Sequence, residues 1–390
     1  MTKATKPFGL YIHIPFCARL CHYCDFAKTA NFDAEHVKKY FSTLEVQLSH
    51  WLNHLGPDHR FTSVFFGGGT PGLFGQEYEG IFQKFSPYLA ADAEITLEAN
   101  PNNVTKDKLS IWRDFGVNRL SMGVQSFDQI GLGVMTRDHS AEEAVAAIEL
   151  ALAMMPNINA DLIYGWPGQS RESWGQDLQK MSSLGVPHLS LYALTFEGKT
   201  PFAMAERRGV MKGMPDEEQY WSYTKAQRYL ALTGFRQEEV SNWAKESHAC
   251  RHNALYWQGH PYVGIGAGAH GFVPAEHDPV GLRYSYPGDL RKFLLECGGA
   301  SRSQGWILDA ARNRESWLME YVGCGLRCTT GIDLQRIVAM GFRFEPTKLL
   351  KEALAHGQVI MQGNTITLTP DEWFRETAWS GELLKCFFAS

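Results

Sequence analysis

What this sequence lacks narrows it before any motif is read. No apolar run approaches the roughly 20 residues that a membrane-spanning helix needs, and Met1 to Phe8 carries no apolar core of the export-signal kind. The expectation is a cytoplasmic protein with no transmembrane segment, compatible with peripheral contact at a membrane. Cationic excess is missing: 37 Lys and Arg against 42 Asp and Glu give a formal charge of −5. That balance speaks against a nucleic-acid partner. A disulfide framework is missing as well. Of eight cysteines, three crowd into positions 17–24, while Cys250, Cys297, Cys324, Cys328 and Cys386 are scattered. In a chain without an export signal, clustered thiols more often hold metal or do redox chemistry. Gly67-Gly68-Gly69 has no Lys-Ser or Lys-Thr behind it, so it is not a triphosphate-binding loop. Repeats and low-complexity segments are absent.

What is present begins with Cys17-Ala18-Arg19-Leu20-Cys21-His22-Tyr23-Cys24, and no fourth cysteine follows nearby. Soft thiolates at this density suit an iron–sulfur cluster or zinc. A closed zinc site takes four ligands, so zinc would recruit His13 or His22. A [4Fe–4S] cluster held by Cys17, Cys21 and Cys24 instead leaves one iron open. That iron could chelate the amino and carboxylate groups of S-adenosylmethionine and reduce its sulfonium. Three buried structural cysteines are the plain alternative.

The apolar pattern predicts strands at 9–14, 61–66, 95–98, 117–124, 158–164 and 188–195, with amphipathic helices between them. Ser140 and Glu143 form a capping box opening one helix, and Ser173 with Gln176 reads as the cap of the next. Such alternation implies a parallel α/β sheet, either doubly wound or an open barrel. In both, ligands collect where strands end. The cysteines follow the first strand and the glycines follow the second, where a missing Cβ lets a ligand approach the backbone. Glu98 and Gln125 close the next two, Arg137 follows the fourth, and Asp161 lies in the fifth. Each could be an ordinary salt-bridged residue; their shared location suggests one site.

Further on, 239–243 reads as a strand and Gly264 to Gly271 as a glycine-rich run. His252-Asn253-Ala254-Leu255-Tyr256-Trp257 places His252 and Tyr256 on one face if helical. A histidine beside aromatics could ligate haem iron, or be a half-buried histidine satisfied by hydrogen bonds. From about Gln304 the pattern becomes three helices and a hairpin, 358–361 with 365–368, like a small winged-helix module. The expected division is 1–200, a barrel core; 201–300, a capping segment with the histidine motif; and 301–390, the C-terminal α+β domain.

Taken together, these motifs resemble the radical S-adenosylmethionine proteins, in the coproporphyrinogen III dehydrogenase branch. The match runs from Tyr11-Ile12-His13-Ile14-Pro15-Phe16-Cys17 through Gly67-Gly68-Gly69-Thr70-Pro71, Glu98-Ala99-Asn100-Pro101 and Gly123-Val124-Gln125-Ser126-Phe127. It continues through Arg137-Asp138-His139 and Asp161-Leu162-Ile163-Tyr164-Gly165 to Pro167-Gly168-Gln169. The resemblance implies a partial (β/α)6 barrel with Cys17, Cys21 and Cys24 as cluster ligands. It implies S-adenosylmethionine contacts at Tyr11, Tyr23, Gly68 and Glu98, and a second adjacent site at Gly69, Thr70, Gln125, Arg137, Asp161 and Ala193. Two departures bear on activity. The oxidase pattern has a further cysteine where Phe26 stands, and only ten residues precede Tyr11. In their place stands His252-Asn253-x-x-Tyr256-Trp257, which resembles the motif of a haem-chaperone subgroup. The implied function is haem binding, through His252, Asn253, Tyr256 and Trp257, and delivery to apo-haem proteins of the respiratory chain. The rival is oxygen-independent oxidative decarboxylation of coproporphyrinogen III.

Overall fold

The computed structural model describes residues 6–155, 157–275, 278–297, 305–309 and 312–389. Six parallel strands carry the first half of the chain: β1 (Gly9–Ile14), β2 (Phe61–Gly68), β3 (Leu89–Ala99), β4 (Arg119–Gln125), β5 (Ile158–Tyr164) and β6 (His188–Ala193). They lie side by side in chain order, each joined to the next through a helical crossover. Register is set early, with Leu10 opposite Val64 and Ile14 opposite Gly68. This is the expected (β/α)6 core, and among the described residues it does not close.

The sheet continues at both edges instead. β7 (Arg236–Glu239) and β8 (Asn242–Ala244) extend the β6 side antiparallel. On the other side β9 (Tyr262–Ile265) pairs parallel with β1. β10 (His270–Ala275), β11 (Asp278–Ser285) and β12 (Ile307–Leu308) then follow antiparallel. The predicted strand at 239–243 is therefore a tight hairpin. The glycine run is the turn between β9 and β10, where a Cβ on Gly264 would come within 1.8 Å of the His270 carbonyl oxygen. The expected boundary at 300/301 and the change of character at Gln304 lie outside the described residues.

Strand alternation sorts the core. Phe66 faces the outer helices and stacks on Phe82 at 5.3 Å between centroids, and Leu97, Leu120, Met122, Leu162 and Leu189 are likewise fully buried. The alternate residues form a polar interior: Ser63, Glu94 and Thr96, Arg119 and Ser121, Asn159, His188 and Ser190 are all buried. Tightly packed barrels usually fill this space with Val, Ile and Leu.

Ser140 and Glu143 form the predicted capping box of the helix Ala141–Met154. The cap of the next helix, Arg171–Ser183, is Ser170 rather than Ser173. Ser170 Oγ accepts from the Ser173 amide at 3.0 Å, while Ser173 Oγ turns outward to Asp128 at 2.7 Å. The C-terminal part holds helices Arg314–Leu326, Leu334–Ala339 and Lys348–Ala355, then the hairpin Val359–Gln362 with Thr365–Leu368. Its Trp317, Ile366 and Trp373 join the same continuous apolar core as the sheet.

Candidate functional site

A cavity of about 460 Å³ opens at the carboxyl ends of the parallel strands. Its walls bring together Cys17, Cys21, Tyr23, Cys24, Gly68, Gly69, Thr70, Glu98, Gln125, Arg137, Asp161 and Ala193, residues separated by up to 176 positions in sequence (193 − 17). Tyr11 is not in the wall; it lies deeper, stacked on Phe65 and bonded through its hydroxyl to His13 Nδ1 at 3.0 Å.

The cysteine loop is fixed by backbone on both sides. The Cys17 amide donates to the Thr29 carbonyl and the Thr29 amide to that of Pro15, at 2.9 and 2.7 Å. Gly69 and Thr70 donate to the carbonyls of Ile14 and Phe16 at 2.7 and 2.8 Å. Cys17 is buried, Cys21 and Cys24 are half-buried, and none is in a disulfide. Burial pushes the Cys17 thiol up to about 11, against a weaker opposing hydrogen bond with Thr70. Arg137 Nη1 donates to Cys21 Sγ at 3.4 Å, placing a guanidinium beside the cysteine loop.

This donor set fits a cluster better than zinc. His13, the candidate fourth zinc ligand, has both ring nitrogens occupied: Nδ1 with Tyr11 and Nε2 with the Ala27 carbonyl at 2.7 Å. Among the described residues no three His, Cys, Asp or Glu side chains converge on one ion position. Zinc needs such convergence, whereas a four-iron cluster takes each thiolate on a different iron.

The glycine run has a reason beyond ligand approach. Gly68 has φ of 112°, and a Cβ there would lie 2.4 Å from the His13 ring; one on Gly69 would lie 2.8 Å from the Ile14 carbonyl oxygen. These glycines let the cysteine loop pack against β2. The Gly68 amide donates to Glu98 Oε2 at 3.1 Å. Burial, reinforced by nearby Asp161, raises the Glu98 carboxyl to about 8. Asp161 is raised by burial too, and accepts from Asn159 Nδ2 at 2.7 Å. Arg137 Nη2 donates to Asn100 Oδ1 at 2.6 Å and to the Gly123 carbonyl at 2.8 Å. Gln125 closes β4 at φ 71°, an uncommon conformation for a residue with a side chain. Two half-buried carboxylates and one half-buried guanidinium lining one cavity suit a ligand carrying both a carboxylate and positive charge.

The histidine motif lies elsewhere, on the helix Arg251–Trp257. His252 is fully buried. Its Nδ1 bonds Ser63 Oγ and its Nε2 bonds the Tyr256 hydroxyl, both at 2.8 Å. Burial, helped by Arg119, lowers its pKa to about 3. Glu94 accepts from the Arg251 and His252 amides at 3.1 and 3.0 Å, anchoring the helix to β3. Tyr256 and Trp257 reach a second, smaller cavity, while His252 and Asn253 do not line it. The i, i+4 pairing is as expected; a free imidazole is not.

Residues to which the motifs assign no role include Asn100, which holds Arg137, and Asn159, a hub of the interior. Asn159 donates to Ser121 and Asp161 and bonds His188 Nδ1 at 2.5 Å. Their signal was available. Polar residues recur every second position in Glu94-Thr96-Glu98, Arg119-Ser121 and Asn159-Asp161, where a parallel strand covered by helices usually reads as continuously apolar.

The family model described as Radical SAM superfamily matches residues 11–181. The chain is 31% identical to a Lactococcus lactis protein named Heme chaperone HemW, over 85% of this chain and 84% of that protein. It is 38% identical to the Escherichia coli protein of the same name, over 68% and 70%. It is 33% identical to a Danio rerio protein named Radical S-adenosyl methionine domain-containing protein 1, mitochondrial, over 96% and 84%. The solved structure of Escherichia coli coproporphyrinogen III oxidase (HemN) superposes with a TM-score of 0.79 at 22% identity, over 97% of this chain and 90% of that one, a likeness of fold.

Proposed function

This chain belongs to the radical S-adenosylmethionine superfamily, in the branch that includes the HemW proteins, and from that premise we propose that it binds haem and delivers it to apo-haem proteins of the respiratory chain. In this reading Cys17, Cys21 and Cys24 hold a [4Fe–4S] cluster. The cluster's open iron, with S-adenosylmethionine bound, supplies one-electron chemistry at the sulfonium. The chain's own residues do the rest. Arg137, which bonds Cys21, would hold the ligand's carboxylate, and Glu98 and Asp161 would supply negative charge for its amino and sulfonium groups. A cation placed there would draw Glu98 down from its raised pKa. Tyr23, packed beside Ile163, Trp166 and Leu194, would shield this side from water.

The observation that carries the haem reading is the His252–Tyr256 helix, tied to the barrel interior through Ser63 and Glu94 and presenting Tyr256 and Trp257 to a cavity of its own. Phe26 supports it: the residue standing where the oxidase pattern has a further cysteine is 67% exposed at the cavity mouth and cannot ligate iron. The test is anaerobic. Cluster-reconstituted protein is assayed in parallel for coproporphyrinogen turnover and haem titration, then for haem transfer to an apo-cytochrome. Saturable haem binding with transfer and no turnover is expected. Conversion of coproporphyrinogen to protoporphyrinogen at an enzymatic rate would overturn the reading in favour of the oxidase.

A further inference from the structure

The second cavity, of about 210 Å³, is shared by Tyr256 and Trp257 of the motif helix, by Trp317 and Tyr321 of the helix Arg314–Leu326, and by Arg283 and Arg312. Its aromatic wall is ordered: Trp317 and Tyr321 stack with centroids 5.1 Å apart and planes 11° from parallel. Tyr256 stands edge-on to Tyr262 at 4.6 Å. Both guanidiniums lie over the Phe272 ring, at 5.9 Å for Arg283 and 4.9 Å for Arg312.

The polar side is as specific. Arg283 and Arg312 converge on one cavity-lining carboxylate, Glu320; Arg312 Nη1 reaches it at 2.6 Å and Arg283 Nη2 pairs with its other oxygen. Arg283 also donates to the Tyr262 hydroxyl at 3.3 Å. Asp278 and Asp309 act on Arg312 as well, from exposed positions. Arg283 Nε and Trp257 Nε1 are buried donors without a partner among the described residues. Unpaired buried donors are uncommon and costly. Two forked guanidiniums beside aromatic faces match a ligand with carboxylates at the edge of a flat apolar body.

We propose that this cavity takes the carboxylate-bearing edge of a flat aromatic ring, with Arg283 and Arg312 on the carboxylates and Trp257, Trp317 and Tyr321 against the ring. This rests on the haem reading, and names the propionate edge of a porphyrin as the part recognised here. The volume agrees: sites that engulf a whole drug-sized ligand run to about 300–1,000 Å³, so this one holds an edge and leaves the rest of the macrocycle at its mouth. It also gives the motif a division of labour. His252, with both nitrogens engaged, positions Tyr256; Tyr256 and Trp257 do the contacting.

The test uses the full-length protein and three probes: haemin, metal-free protoporphyrin IX and haemin dimethyl ester. Haemin and protoporphyrin IX should bind with similar affinity, and the ester at least about tenfold more weakly, about the worth of one lost charge-assisted hydrogen bond. Arg283→Ala and Arg312→Gln should weaken the two acids by at least that factor and leave the weak ester binding unchanged. Thermal melts check folding of the variants; unchanged acid affinity in a folded variant would overturn the assignment to these arginines, and the acid-to-ester ratio on wild-type protein can still overturn it if neither folds. Equal affinity for acid and ester would overturn the inference while leaving haem binding intact. Failure of wild-type protein to bind any of the three would overturn this inference and the haem reading together.

Discussion

The carboxylate of Glu94 should be worth more to this fold than any surface ion pair near it. Glu94 is 5% exposed. Its two oxygens take the Arg251 and His252 amides at 3.1 and 3.0 Å, and Cys250 Sγ lies 3.7 Å from Oε1. The helix Arg251–Trp257 has no side-chain cap of its own, so these first-turn amides depend on a residue from β3. Truncation in Glu94→Ala leaves two buried N–H groups unpaired at about 1–3 kcal/mol each. Removing a buried charge offsets part of that, leaving an expected loss of about 2–4 kcal/mol. Glu94→Gln keeps one acceptor oxygen and turns an amide NH2 toward a donor, so it should fall between. Urea unfolding followed by far-UV circular dichroism measures the series. The control is Arg251→Ala, which breaks the Arg251–Asp92 pair, whose side chains are 44% and 80% exposed, and the exposed bond from Arg251 Nη1 to the Asp92 carbonyl; it should cost under about 1 kcal/mol. If Glu94→Ala is no worse than Arg251→Ala, the helix is held by apolar contacts such as Leu255, and the capping account is wrong.

Two further perturbations address the cysteine-loop end. Gly68→Ala places a methyl 2.4 Å from the His13 ring at φ 112°; it should cost about 1–3 kcal/mol and lower the iron retained per chain after reconstitution, while normal iron content would refute the packing role of that glycine. The second concerns pH. The Glu98 carboxyl is raised to about 8 in the fold from 4.5, so its contribution is complete below the unfolded value and is lost as pH rises through about 8. Relative to Glu98→Gln, the unliganded protein should therefore lose on the order of 1 kcal/mol per pH unit across that window. Paired urea midpoints at several pH values read this directly, and a flat difference would show Glu98 ionised in the fold.

Much of this was legible in the residues, and the exceptions have physical causes. The six parallel strands announced themselves because each carries apolar residues between helical patterns and four of them end at Gly67, Asn100, Gln125 or Gly165, and the observed bounds of β1 and β5 match the predicted ones. β7 and β8 were read as one strand because Glu239 to Trp243 contains none of the glycine or proline that usually marks a hairpin. β9 and β10 hid inside a glycine run whose Gly264 is required by close backbone approach, not by a ligand. The cavity wall followed from one rule, that ligands gather at strand ends, and Tyr11 escaped it by sitting mid-strand. His252 divided along another line. Spacing placed it beside Tyr256, but spacing carries no information about depth, and only the fold reveals that Ser63 and Tyr256 occupy both ring nitrogens.

That depth explains why a polar helix sits where it does. The interior face of the strands carries Glu94, Arg119, Asn159, Asp161, His188 and Ser190, and such groups are tolerated only when they bond one another. Asn159 joins His188, Ser121 and Asp161; Ser190 Oγ donates to Asn242 Oδ1 at 2.9 Å; Asn242 bonds Glu239, which pairs with Arg327 at 3.1 Å. Arg327 in turn lies over the Trp257 ring at 4.7 Å. The network thus runs from Asp161 in the wall of the cysteine-lined cavity to the helix Arg251–Trp257, through buried groups as far as Glu239 and through half-buried Arg327 and Trp257 at its far end. An apolar helix packed against this face would strand Ser63 and Glu94 without partners. A helix offering two free amides and an imidazole satisfies both. The motif's histidine is therefore a piece of the sheet's polar inner face, and its link to the second cavity passes through Tyr256.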